Sequence, residues 1–179
     1  LNKTSGTAIP GNVNVTSTSA GDAFLIISNN GGNQIADDAT INFNQDVSTN
    51  AIFGSNNPDE IIGMLTGNGN FIMNVAGQGI TVGGGNKSGT FSGSFTNATP
   101  SVITKVGTGT WTLTDATYGG VVNQGATIVI LGGSVNWGGA DITALKTTVG
   151  NGGTLKGTGS VGPTTVNSGG TTSTGNSPG

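Results

Sequence analysis

Two adjacent acidic pairs, Asp37-Asp38 and Asp59-Glu60, are the residues of this chain whose types could do chemistry. Paired carboxylates bind calcium through oxygen ligands, or divide into acid and base for glycoside hydrolysis. Both uses require two groups to converge on one point. Neighbours along a strand point to opposite faces, so adjacency by itself predicts solvated turns. No histidine and no cysteine occur among the 179 residues. Their absence excludes, within this chain, a serine-histidine relay, histidine or thiolate metal ligation, cysteine nucleophiles and disulfides. Arginine is also missing, which disfavours a lyase of the kind that sets a basic residue beside calcium-binding carboxylates. The stretch Gly83-Gly84-Gly85-Asn86-Lys87 lacks the aspartate of the nonapeptide calcium repeat. No catalytic residue, metal or cofactor is therefore expected, and the chain reads as non-enzymatic.

Aromatic and hydroxyl side chains offer binding instead of catalysis. Trp111, Trp137 and Tyr118 would make a sugar-stacking platform if they faced outward. Trp111 alternates with threonines beside Leu113, which predicts burial. Trp137 precedes Gly138-Gly139 at an expected corner and reads as the surface aromatic. The rows Thr16-Ser17-Thr18, Thr108-Gly109-Thr110 and Thr112-Leu113-Thr114 have the look of a flat ice-binding face, although threonine is also an ordinary residue for a solvated strand.

The elements that position these residues are strands. Only 32% of the chain is hydrophobic and 35 residues are glycine, less apolar content than a compact sandwich usually carries. A solenoid manages with a thin file of buried side chains, because its backbone is satisfied by the coils above and below. Charged residues make up 7% and the net charge is −3, with five lysines and no basic patch to follow a phosphate backbone. Strands are expected at 23–28, 40–44, 61–65, 71–75, 80–82, 90–95, 102–106, 110–114, 127–131, 135–137 and 147–149, where β-rich residues alternate between Gly and Asn clusters. Gly93, between Phe91 and Phe95, leaves a gap that a neighbouring coil can fill. Ile142 to Lys146 is at most one helical turn, and no apolar run is long enough to span a bilayer.

One unit recurs. Val122-Asn123-Gln124-Gly125-Ala126-Thr127, Val149-Gly150-Asn151-Gly152-Gly153-Thr154 and Val166-Asn167-Ser168-Gly169-Gly170-Thr171 share a Val-x-x-Gly-[Gly/Ala]-Thr pattern, with valines 27 and then 17 residues apart. A sandwich has no reason to repeat its corners, so the recurrence predicts an all-β, right-handed parallel β-helix (β-solenoid). At about 20 to 25 residues per coil it would hold roughly eight coils, a rod of ~40 Å. We read 1–179 as one such fragment, with irregular coils and longer loops over 1–99 and regular repeats over 100–179. The opening residues carry no signal pattern, and the uncapped end predicts a parent chain that continues.

The segments Ser88 to Gly93, Lys105 to Thr114, Tyr118 to Val122 and Gly152 to Leu155, with Val166 to Thr171 and the ending Gly175 to Gly179, resemble the passenger-associated repeat of bacterial type V autotransporters. The likeness covers about residues 88–179; residues 1–87 match in composition alone. The resemblance implies a passenger of Gram-negative origin, exported across the outer membrane through its own barrel and folded at the cell surface. Neither that barrel nor a serine-protease domain is present. A fold transfers along such a likeness; an activity does not.

The expected function is that of an extracellular surface adhesin or the stalk that presents one, at the cell surface or secreted. The alternatives are a self-assembling filament or surface-layer module, and a released effector that engages a host receptor. Expected partners are a host-cell or matrix protein or glycan, the protein's own translocation barrel and, for the filament, further copies of the chain. Loops at 51–60 and 132–141 interrupt the regular pattern, which makes Asp59, Glu60, Trp137 and Asp141 the candidate ligand-binding residues.

Overall fold

The structure, a computed structural model, describes residues 1, 5–27, 33–46, 51–55, 60–73, 79–97, 101–114, 117–118, 126–139 and 141–175. The chain is an all-β solenoid built from three parallel sheets. The first sheet takes Val13–Thr16, Thr40–Asn44, Met64–Gly67, Gly89–Phe91, Thr110–Thr114, Gly133–Gly138, Gly153–Gly157 and Thr171–Thr174, neighbours in that order. The second takes Ala23–Ile27, Ala51–Ser55, Asn70–Met73, Ser94–Asn97, Thr117–Tyr118, Asp141–Ile142 and Ser160–Val161. The third takes Ile61–Ile62, Gly79–Val82, Val102–Lys105, Thr127–Ile130, Lys146–Val149 and Thr164–Val166. From Thr40 onward the strands visit the sheets in the fixed order first, second, third, so sequence position becomes axial position.

Alternation decides which side chains enter the lumen. Within Thr110–Thr114, Trp111 and Leu113 are buried while the three threonines are partly exposed. Across strands the inward positions form files such as Val13, Ile41 and Leu65, or Trp111, Val135 and Leu155. Where the chain turns from the first sheet into the second, aromatic rings fill the corner. Phe91 and Phe95 lie with centroids 5.0 Å apart, and Phe95 meets Phe71 and Trp111 edge-on at 6.0 and 5.9 Å. Such tilted and edge-on pairs suit the ring quadrupoles. The Trp111 indole donates to the Leu65 carbonyl at 3.0 Å.

A continuous strand over 90–95 does not form. The chain bends at Ser92-Gly93 and enters the second sheet at Ser94. The cause is at Gly93, where a Cβ would stand 1.9 Å from the Gly69 carbonyl oxygen of the adjacent coil. The expected gap is thus filled by backbone. The Ile61 to Leu65 run is likewise split, at Gly63, between the third sheet and the first.

Two of the recurrent units stack on each other. Val149 pairs with Val166 in the third sheet and Thr154 with Thr171 in the first. The corners between them turn through Gly152 and Gly169, at φ of 80° and 81°, a left-handed conformation open to glycine. The Gly152 N–H donates to the Gly169 carbonyl at 3.0 Å, tying one corner to the next. Most of the third unit, 122–125, lies outside the described residues. Among the described residues the helical content is one 3-10 turn, Gly84–Asn86, and no helix is long and apolar enough to cross a membrane.

Candidate functional site

Glu60 and Trp137, two of the four candidate binding residues, are interior. Trp137 is 1% exposed, because the expected corner is a six-residue strand, Gly133–Gly138, in which Val135 and Trp137 share the inward face. It is therefore a core residue and not a surface aromatic. Glu60 is fully buried, which corrects the reading of the Asp59-Glu60 pair as a solvated turn. It stands two residues before Ile62, so strand parity turns both inward. Asp141 opens the short strand Asp141–Ile142 and pairs with Thr117 and Ser160. Asp59 lies outside the described residues. Of the two expected loops, 51–60 holds the strand Ala51–Ser55 and 132–141 the strand Gly133–Gly138, while 56–59 and 140 lie outside the described residues. Asp37 and Asp38 do form an exposed turn.

The Glu60 carboxylate is consumed by backbone. Its Oε2 accepts the Gln34 N–H and its Oε1 the Ile35 N–H, each at 2.8 Å. Burial pushes the carboxyl above its usual range, the two N–H bonds oppose that shift, and Asp37 nearby adds to it. Beside it, the Asn33 amide donates to Asp37 while its oxygen accepts the Ile61 N–H at 3.2 Å. The group therefore ties the 33–37 turn to the strand of the next coil.

Lys105 is a second interior charge. Lys105 occupies the file Ile62, Val82, Lys105, Ile130, Val149, Val166 of the third sheet and is fully buried. Its Nζ donates to the carbonyls of Val106, Gly107 and Gly132, the last two at 3.3 and 3.4 Å. The signal was present in the sequence, since Ile103 and Lys105 have the same parity and Ile103 is plainly apolar. Burial drives the Lys105 pKa below the usual lysine range.

The pH consequence follows from linkage. Between the lowered folded value and the ordinary 10.5, the unfolded chain holds a proton that the folded chain has released. Stability therefore rises with pH across that window. At neutral pH the cost of burying the ammonium, several kcal/mol, is offset by three bonds to a charged donor, each worth about 1.5–3 kcal/mol. Lys105→Met is accordingly expected to leave neutral-pH stability within about 1 kcal/mol of wild type while abolishing the alkaline rise. Urea unfolding of both proteins from pH 7 to 10.5 checks this; parallel curves would remove the assignment.

A third feature is a cavity of about 370 Å³ at the end of the solenoid, between Trp137, Leu155, Val161, Val166 and Thr172. Its lining is mainly apolar, and the Trp137 indole N–H is buried without an acceptor. No three acidic residues converge on one point among the described residues. The two interior charges each serve a corner of the fold and do not meet in a common site.

The chain matches no known family model, no curated protein and no solved structure.

Proposed function

We propose that this chain is part of an extracellular, right-handed β-helix of the autotransporter-passenger type, non-enzymatic, that acts as a surface adhesin or as the stalk presenting one. The observation that carries the reading is the stacking of one glycine corner on the next, Val149 to Thr154 upon Val166 to Thr171, in a three-sided parallel solenoid. The eight strands of the first sheet support a count of roughly eight coils. Interior charges that are spent on backbone, as those of Glu60 and Lys105 are, are what a scaffold needs.

With 51–55 and 133–138 in strands, recognition belongs on the outward faces of the sheets. Thr90, Thr112 and Asn136 line up there on neighbouring strands, none of them buried. Labelled protein is to be titrated onto host cells, matrix proteins and immobilised glycans. The expected result is saturable binding that falls at least about tenfold when Thr112 and Asn136 are both replaced by lysine, as loss of one or two central contacts would produce. Absence of binding by a protein with a β-rich circular dichroism spectrum would remove the adhesin half of the reading and leave the stalk.

A further inference from the structure

We propose that the corner closed by the carbonyls of Val106, Gly107 and Gly132 is a binding site for a monovalent cation of ammonium size, which the chain fills with its own Lys105 side chain. This inference is independent of the adhesin reading. The strand that carries Lys105, Val102–Lys105, lies between Gly79–Val82 and Thr127–Ile130, so the site is enclosed by a coil on either side. An ammonium has three N–H donors and no acceptor. Lys105 Nζ donates to three backbone carbonyls, those of Val106 and Gly107 in its own corner and, from the next coil, that of Gly132, the last two at 3.3 and 3.4 Å. Among the described residues no carboxylate bonds to Nζ, and burial is what lowers its pKa. A cation held by neutral carbonyl dipoles is the arrangement that replaces an ion's hydration shell in a selectivity filter.

Glycine makes the room for it. Lys105 is followed by Val106-Gly107-Thr108-Gly109, and Ile130, its partner in the next coil, by Leu131-Gly132-Gly133. The Val106 N–H donates to the Val82 carbonyl and the Leu131 N–H to that of Lys105, each at 2.8 Å, so sheet pairing continues up to the turn. Gly107 then turns at φ of 67°, a conformation that few side chains allow. In the preceding coil a Cβ on Gly83 would stand 2.0 Å from the Val106 carbonyl oxygen and 3.0 Å from Nζ itself. The corners at Gly83, Gly107 and Gly132 therefore close together on the ammonium. Every other member of the file Ile62, Val82, Lys105, Ile130, Val149, Val166 is aliphatic, so packing does not account for a charge at this position.

The donor set selects the ion. Oxygen ligands suit hard cations, but the cost of dehydrating a divalent ion needs negative charge to offset it, and these ligands are neutral. Ammonium and potassium ions are alike in size, and a primary ammonium adds N–H groups arranged as those of lysine are. Tethering supplies the ion at an effective concentration that a dissolved ion would have to match. The native chain thus closes this corner without a metal.

Emptying the site and offering the ion back tests the proposal. Lys105→Ala removes the γ, δ and ε carbons together with Nζ, and n-propylammonium consists of those same heavy atoms. Urea unfolding of the whole chain is followed at constant ionic strength with n-propylammonium, tetramethylammonium, sodium or calcium as chloride, and separately with n-propanol, each read against wild type. Once the site is loaded, n-propylammonium is expected to raise the folding equilibrium constant of Lys105→Ala about tenfold for each tenfold rise in concentration, with no such rise in wild type. Tetramethylammonium has the charge without the N–H groups, and n-propanol has the shape without the charge; neither is expected to match it. Lys105→Met vacates the place of Nζ while keeping the bulk of the stem, so it provides a folded second variant, and its stability is expected to respond to ammonium and potassium ions more than to sodium. A wild type that responds equally, an equal effect of n-propanol, a larger effect of calcium, or no response of either variant to ammonium ions would each overturn the cation site.

Discussion

Replacing Glu60 by alanine is expected to destabilise the fold by about 3–6 kcal/mol, the cost of two buried N–H groups left without acceptors plus a small cavity. The Gln34 and Ile35 N–H groups donate to the two carboxylate oxygens in an environment closed to water, so neither can turn to solvent instead. Glu60→Gln retains one oxygen and loses the other acceptor, so a smaller loss of about 1–3 kcal/mol is expected. The two substitutions also separate packing from charge. Because burial raises the folded pKa above 4.5, the folded chain binds a proton more readily than the unfolded chain in the window just above that value. This contribution to stability is fully present below pH 4.5 and is lost as pH rises through the folded value. Wild type should therefore show that decline in a urea-unfolding series from pH 4 upward, and Glu60→Gln should not. A flat wild-type profile would sink the assignment, as would an alanine variant as stable as wild type.

The second large effect is expected at Trp111, where truncation to alanine costs about 3–5 kcal/mol, the usual range for removing a buried large aromatic. This side chain is fully buried, packs edge-on against Phe95, and gives its indole N–H to Leu65, 46 residues earlier in the chain. It links two strands of the first sheet, Met64–Gly67 and Thr110–Thr114, past the strand between them. Trp111→Phe keeps most of the apolar volume and gives up the bond, so the Leu65 carbonyl loses an acceptor role worth about 1 kcal/mol. Thermal and denaturant unfolding of both variants give the comparison. Equal losses from phenylalanine and alanine would mean that the hydrogen bond, and not the packing, carries Trp111.

Much of the strand pattern was legible in the sequence. Thr40–Asn44 and Thr110–Thr114 fall where alternation put them, because each is a five-residue run with two large apolar side chains on one face. Short strands with weak patterns are not legible in the sequence. Gly153–Gly157 and Thr171–Thr174 carry too few apolar residues to declare a face, and they are strands because a neighbouring coil lies alongside to bond with. Ala51–Ser55 reads as part of a loop because the Asn- and Pro-containing stretch 56–59 follows it directly, yet it forms a strand between Ala23–Ile27 and Asn70–Met73. Phe91 and Phe95 look like one face of one strand, but a bend at Gly93 sets them on two sheets, ring against ring.

By itself, then, the sequence determined a class and a chemistry. Periodicity two, glycine-rich corners and a recurrent Val-x-x-Gly-[Gly/Ala]-Thr unit define an all-β stack, and a chain with no histidine or cysteine holds no chemistry of its own that needs an imidazole or a thiol. These are local properties, fixed by residue type and by the alternation of a strand. Tertiary structure decided what Glu60, Lys105 and Trp137 do. Glu60, Lys105 and Trp137 resemble surface groups when read along the chain, yet they are interior, because the lumen of a solenoid is assembled from residues more than twenty positions apart. Which carbonyl lies beside Lys105 Nζ depends on register between coils, and register is set by contacts that no short window of sequence contains.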